Sequence, residues 1–289
     1  MNPGTYGSSL RGRTWIVIQT ALAGVGLVGL APAYSAQAAA PPAPQTRDNL
    51  TLEGIRVAQA QGPAAQQTPK TSAPIDLTGY WVAIVNEEWR WRMVTPPKGD
   101  YASVPLNPNG RKVADTWDTS QDGSCKAYGA GGLMRMPTRV RISWEGDDVL
   151  KIETDAGQQT RRLVFGKPAP SGIAPSLQGY SVAQWNRTLV PLGNMGFNFG
   201  PPRPNPPGGS MQVVTTNLTD GWLRKNGVPY SANAKVTEYF DRFPSTNGDE
   251  WFMVTTVVDD PQYLLEPFVT SSHFKREKDG AKWDPTACK

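Results

Sequence analysis

The chain has 289 residues, a formal charge of +4, two Cys, one His and ten Trp. With an N-terminal basic and apolar segment set aside, 27 basic and 25 acidic residues leave +2, so no basic excess favours nucleic acid. One His excludes a multi-His transition-metal site, two Cys and one His do not comfortably complete a structural zinc site, and no cofactor motif stands out, so neither metal nor cofactor is expected.

Arg11 and Arg13 precede an uncharged, largely apolar run from Trp15 to Leu30, and Ala36-Gln37-Ala38 closes it with an A-x-A pattern. Residues 1–38 therefore read as a cleavable export signal, which predicts a periplasmic or secreted protein. No later run approaches the ~18 apolar residues that span a bilayer, so no transmembrane span is expected once the signal is removed. In an oxidising compartment Cys125 and Cys288 most simply pair, tying the C-terminal tail to the middle of the chain; the rival is two free thiols, one of them nucleophilic. Residues 39–75 are rich in Ala, Pro, Gln and Thr and read as a flexible tether. The folded domain is expected over 76–289, with 24 basic and 23 acidic residues.

Glu87-Glu88-Trp89-Arg90-Trp91-Arg92-Met93 is the densest run of chemistry-bearing residues. Read as a strand, it puts Trp89, Trp91 and Met93 on one face and Glu88, Arg90 and Arg92 on the other. Arginines beside aromatic rings hold carboxylates or stack on planar ligands; a core-facing Trp pair with an ion-paired outer face is the plainer alternative. A short helix follows, with Asn107 as cap and Pro108 in its first turn. Gly129-Ala130-Gly131-Gly132 lacks a phosphate-binding Lys and reads as a turn.

From Arg139 the pattern is β. Val140, Ile142 and Trp144 alternate with polar residues, Gly146-Asp147-Asp148 turns the chain, Leu150 and Ile152 alternate again, and Thr160–Phe165 follows. Further strands are expected at 179–185, 211–217, 234–243, 250–258 and 268–276, with Asn247-Gly248 as a hairpin turn. Residues 200–209 hold five Pro and three Gly and form a long loop, either a lid or disordered. The fold class is therefore all-β: an antiparallel meander closing into a barrel, or a sandwich, with one short helix and a long Pro-rich loop.

Leu77-Thr78-Gly79-Tyr80-Trp81 resembles the Gly-x-Trp opening of lipocalin-like β-barrels. The resemblance implies a Trp plugging one barrel end and packing near a basic residue of the last strand, Lys275 or Arg276. Asp260-Pro261-Gln262-Tyr263-Leu264-Leu265-Glu266-Pro267-Phe268 is similar to runs in uncharacterised exported bacterial proteins, which implies no activity.

Several positions compete for function. Glu238 shares its strand face with Val236 and Phe240, and a carboxyl in an apolar cavity is a candidate general acid or base. His273 is the sole His, but no Gly-x-Ser-x-Gly elbow accompanies it. Asp259 and Asp260 end a strand, either as acid–base or cation-binding groups or as a turn cap. Arg224, Lys225 and Tyr230 flank an Asn226-Gly227 turn, at a barrel mouth or at an exposed hairpin tip.

The leading expectation is an exported barrel that binds a small hydrophobic or amphipathic molecule in its cavity. Trp89, Trp91, Tyr239 and Trp251 would supply apolar walls, and Arg90, Arg92 or Arg224 would orient a polar end. The alternatives are a cofactor-independent isomerase, hydratase or lyase using Glu238 or Asp259 with Tyr230 or His273, and an envelope interaction protein without a small ligand.

Overall fold

A computed structural model describes residues 67–187 and 209–289. The expected signal segment, most of the 39–75 tether and residues 200–208 of the Pro-rich loop lie outside the described residues. Thirteen strands follow in chain order: β1 (Gly79–Ile84), β2 (Arg139–Glu145), β3 (Val149–Thr154), β4 (Ala156–Gly157), β5 (Thr160–Phe165), β6 (Tyr180–Arg187), β7 (Gly209–Thr216), β8 (Gly221–Arg224), β9 (Val228–Tyr230), β10 (Lys235–Pro244), β11 (Glu250–Asp259), β12 (Phe268–Glu277) and β13 (Thr286–Ala287). Nine of them close a barrel in the order β1-β12-β11-β10-β7-β6-β5-β3-β2. The expected all-β barrel is present, and it is compatible with a lipocalin-like barrel.

The wall departs from a pure antiparallel meander at one seam. β5 and β6 pair in parallel, whereas their barrel neighbours pair antiparallel. A parallel pair cannot be joined by a tight hairpin, and residues 166–179 supply the long crossover it needs.

Period-2 alternation sends one set of side chains inward along each strand. On β11, Phe252, Val254 and Val258 are buried, while Trp251, Met253 and Val257 are only half-buried on the outer face. The interior is filled by these inward side chains. The Phe252 ring stacks on Phe274 at 4.6 Å and meets Trp81 edge-on at 4.8 Å. Trp81 is fully buried and donates from Nε1 to the Leu77 carbonyl at 2.9 Å. Arg276 lies over the Trp81 ring at 4.3 Å, so it is Arg276 rather than Lys275 that packs on this Trp; Lys275 lies over Trp251 instead. Gly79 makes room for this arrangement. Its φ is +117°, and a Cβ there would come within 2.7 Å of Arg276 Nη1, which donates to the Thr78 carbonyl.

Deeper in the barrel lies a charged pair. Arg161 and Glu238 are both fully buried and meet bidentately, Nη1 to Oε1 at 3.0 Å and Nη2 to Oε2 at 2.6 Å. Arg161 also donates to the Ser181 and Thr215 hydroxyls. Glu238 points inward as its parity requires, but it faces a guanidinium, not an apolar cavity.

The end of the barrel where β1 and β11 finish and β2, β10 and β12 begin is capped. The cap consists of residues 85–138 and the β8–β9 hairpin. Residues 85–138 include helices α1 (Trp89–Arg92) and α2 (Pro108–Ala114) and three 3-10 turns, Thr119–Gln121, Cys125–Tyr128 and Leu133–Arg135. Asn107 caps α2 by accepting from Gly110 N at 2.8 Å, with Pro108 in the first turn as expected. A second core joins cap to barrel, combining Tyr101, Leu223 and Tyr230 with Val236, Val258 and Phe268.

The tail is tied down. Cys125 and Cys288 form a disulfide with Cα atoms 4.9 Å apart, and β13 pairs in parallel with β4. At the other terminus, packing begins before Asp76: Trp185 donates to the Pro69 carbonyl at 2.8 Å, Arg187 donates to the Ser72 carbonyl, and Ile75 is buried.

Two stability predictions follow from these ties. Glu238→Gln leaves the Arg161 charge buried without its partner and costs about 3–5 kcal/mol in urea unfolding, whereas Arg161→Met combined with Glu238→Leu recovers most of the loss. Additive costs in the double variant would show that the two charges are not paired. Cys288→Ser opens a crosslink spanning 163 residues and lowers stability by about 4–5 kcal/mol in the chain-entropy account. An unfolding midpoint insensitive to Cys288→Ser would contradict that.

Candidate functional site

The run Glu87–Met93 is not the strand that its alternation suggested. Trp89–Arg92 form a single helical turn, entered through Glu88 in the left-handed region at φ 49°, ψ 29°. A non-glycine residue held there costs about 1 kcal/mol, so surrounding contacts must fix it. The helix separates what a strand would have aligned. Trp89 and Met93, one turn apart, face outward with 63% and 53% exposure, while Trp91 and Arg92 turn into the cap.

Inside the cap three guanidiniums converge. Arg92 comes from α1, Arg135 from the last 3-10 turn and Arg224 from β8, and all three are buried. Arg92 Nε donates to the Arg135 carbonyl at 2.7 Å, and Arg135 Nη1 donates to the Leu223 carbonyl at 2.8 Å. Glu88 is their shared counter-charge. Its Oε1 accepts from Arg224 Nη2 at 3.0 Å, and its Oε2 accepts from Arg135 Nη2. Glu87 adds a longer contact, with Oε2 3.6 Å from Arg92 Nη1.

Pairing is incomplete on both sides, for Glu87 Oε2 is a buried acceptor without a hydrogen-bond partner among the described residues. Arg92 Nη2, Arg135 Nε and Arg224 Nε and Nη1 are buried without a hydrogen-bond partner among the described residues. Orphaned buried donors on cations are costly, and they make a ready site for an anion. Burial and the neighbouring Arg135 charge pull Arg92 and Arg224 down to about 10, and burial lowers Arg135 as well. Arg92 and Arg224 remain charged at neutral pH. Trp91 is held between two cations, Arg90 at 4.6 Å and Arg224 at 4.7 Å from its ring centre. Arg90 itself is exposed and pairs with Asp100 at 2.6 Å.

On the outer side of α1 lies an open groove of about 560 Å³. Val82, Ile84, Trp89, Met93 and Pro137 give it apolar walls, and Arg139 and Asp155 border it. The single helical turn thus divides a buried cationic cluster from an exposed apolar groove.

Of the residues expected to bind ligand, the structure gathers Trp89, Arg90, Trp91, Arg92 and Arg224 in this cap. Tyr239 and Trp251 lie elsewhere, half-buried on the outer wall, Trp251 at the end of the barrel opposite the cap. Of the four candidates for acid–base chemistry, His273 and Asp259 lie on the outer face of the wall, whereas Glu238 and Tyr230 are buried. Glu238 is paired inside the barrel. His273 faces outward between the buried Ser272 and Phe274, with Nδ1 2.5 Å from Glu87 Oε1. Asp259 is half exposed near Lys235, whereas Asp260 is buried and caps a turn by accepting from the Ser231 N–H and hydroxyl. Tyr230 is fully buried, its hydroxyl pushed well above its usual range by burial. The glycine run read as a turn packs on that ring: side chains at Gly129 and Gly131 would collide with Tyr230. The Asn226-Gly227 hairpin tip is buried, with Asn226 donating to the Pro97 and Asp100 carbonyls.

Sequence reasoning missed Arg135 and did not single out Glu88 as the shared acceptor. The signal for Arg135 was a lone charge inside the apolar run Leu133-Met134-Arg135-Met136. Among the described residues no helix is long and apolar enough to cross a membrane. No family model matches the chain, and neither a curated protein nor a solved structure matches it.

Because Arg92 and Arg224 hold their protons to about pH 10, anion binding to this cluster is expected to stay flat from about pH 6 to 9. Titrations of decanoate binding across that range check this, and a collapse of affinity below pH 8 would assign the contact to another group.

Proposed function

We propose that the protein is an exported binding module that takes a small amphipathic anion at the capped end of its barrel. The observation that carries this reading is the convergence of three buried guanidiniums, Arg92, Arg135 and Arg224, with orphaned N–H donors beside the carboxylates of Glu87 and Glu88. The apolar groove beside Trp89 and Met93 supports it by offering a surface for the ligand's hydrophobic part. The side-chain-filled interior supports a site in the cap rather than in the barrel lumen. The disulfide supports an oxidising compartment, and the basic-to-apolar N-terminus supports export.

A second reading, an envelope interaction module, draws on the exposure of Trp89, Met93 and Val94 as one short apolar patch. Acid–base turnover gains no support, since Glu238 is ion-paired with Arg161 and His273 and Asp259 lie on the outer face of the wall.

Native mass spectrometry of the protein purified from the cell envelope tests the proposal. The wild-type chain is expected to carry a small anionic molecule, and Arg224→Gln to lose it, with affinity falling roughly tenfold to a hundredfold for a lost charged contact. A ligand-free mass for the wild-type chain, together with an exposed-patch partner captured equally by Arg224→Gln, would favour the interaction module instead.

A further inference from the structure

Resting on that reading, we infer that Glu88 is a built-in pseudo-ligand and that the site takes a carboxylate in exchange for it. The contacts of Glu88 are those that a ligand carboxylate would make. One oxygen meets Arg224 and the other meets Arg135, so a single planar carboxylate bridges two guanidiniums from distant parts of the chain. The remaining donors, Arg135 Nε and Arg224 Nε and Nη1, belong to the same two side chains.

Space enforces exchange. The pocket lined by Trp91, Arg92, Arg135, Leu223 and Arg224 has about 10 Å³, the room of about one water molecule. A carboxylate cannot be added beside Glu88; it must replace it. Glu88 is also placed to leave. Its side chain keeps 22% of its surface exposed, so it approaches the arginines from the solvent side, whereas the arginines are buried. Its backbone sits at φ 49°, a conformation that L-residues adopt at a cost, so the closed arrangement is less stable than its contacts alone would make it. The next residue, Trp89, faces the apolar groove on the other side of the helical turn, so the exchange places a hydrocarbon body there once the Glu88 turn gives way. A neutral amphiphile gains the same walls but cannot replace the counter-charge.

The test compares decanoate with decanol, and acetate with acetamide, on the full chain and on Glu88→Ala, Glu88→Gln and Arg224→Gln. Calorimetry is expected to show decanoate binding Glu88→Ala roughly tenfold or more tighter than wild type, with decanol affinity unchanged. Acetate, but not acetamide, is expected to raise the melting temperature of Glu88→Ala, because it restores the missing counter-charge. Should Glu88→Ala fail to fold, Glu88→Gln keeps the shape and carries the same comparison. Equal decanoate affinity in wild type and the Glu88 variants, with Arg224→Gln still losing the co-purified molecule, would overturn the exchange and leave the binding site standing. Failure of every variant to bind decanoate, with no ligand lost in Arg224→Gln, would overturn the site and the exchange together.

Discussion

Three guanidiniums buried within one barrel cap must be compensated, and the chain supplies the two oxygens of Glu88 to Arg135 and Arg224 and the carboxylate of Glu87 to Arg92. That constraint explains much of the local structure. It holds Glu88 in the left-handed region, starts a helical turn at Trp89 and swings Arg92 inward onto the Arg135 carbonyl. It also fastens three separated stretches of sequence, since α1, the Leu133–Arg135 turn and β8 each contribute one arginine. Desolvating so much like charge is unfavourable unless acceptors are supplied, and those supplied from within leave several donors over.

The barrel beneath makes the location intelligible. Aromatic stacking around Phe252 and the Arg161–Glu238 pair fill its interior. The chain's irregular structure, by contrast, is concentrated in the cap. The cap rests on firm supports, with the disulfide tying the tail to its Cys125–Tyr128 turn and Tyr230 seated against Gly129 and Gly131. On such a scaffold the proposed exchange asks only the short strap from Ile84 to Trp89 to move.

Much of the barrel was legible because its signals are local. Alternation at Val140–Trp144 and Leu150–Ile152, the Asn247-Gly248 turn and the Asn107 cap each act within a few residues and survive in the folded chain. The parallel β5–β6 seam was not legible, since pairing direction depends on where a long crossover returns. Glu87–Met93 misled for a related reason. Its alternation fits a strand, but contacts to Arg135 and Arg224, 43 and 136 residues away, select a helical turn instead. Half of the site was visible as Arg92, Arg224 and Trp91. Arg135 was hidden in an apolar run, and Glu238 was read correctly as inward but without Arg161, its partner across the barrel.

A crystal structure of the protein with bromine-labelled decanoate addresses the central claim most directly. The account predicts the carboxylate between Arg135 and Arg224 in the position now held by the Glu88 oxygens, Glu88 turned to solvent, and the bromine signal in the groove beside Trp89 and Met93. Glu88 still bridging both arginines, with the label bound elsewhere or nowhere, would contradict it.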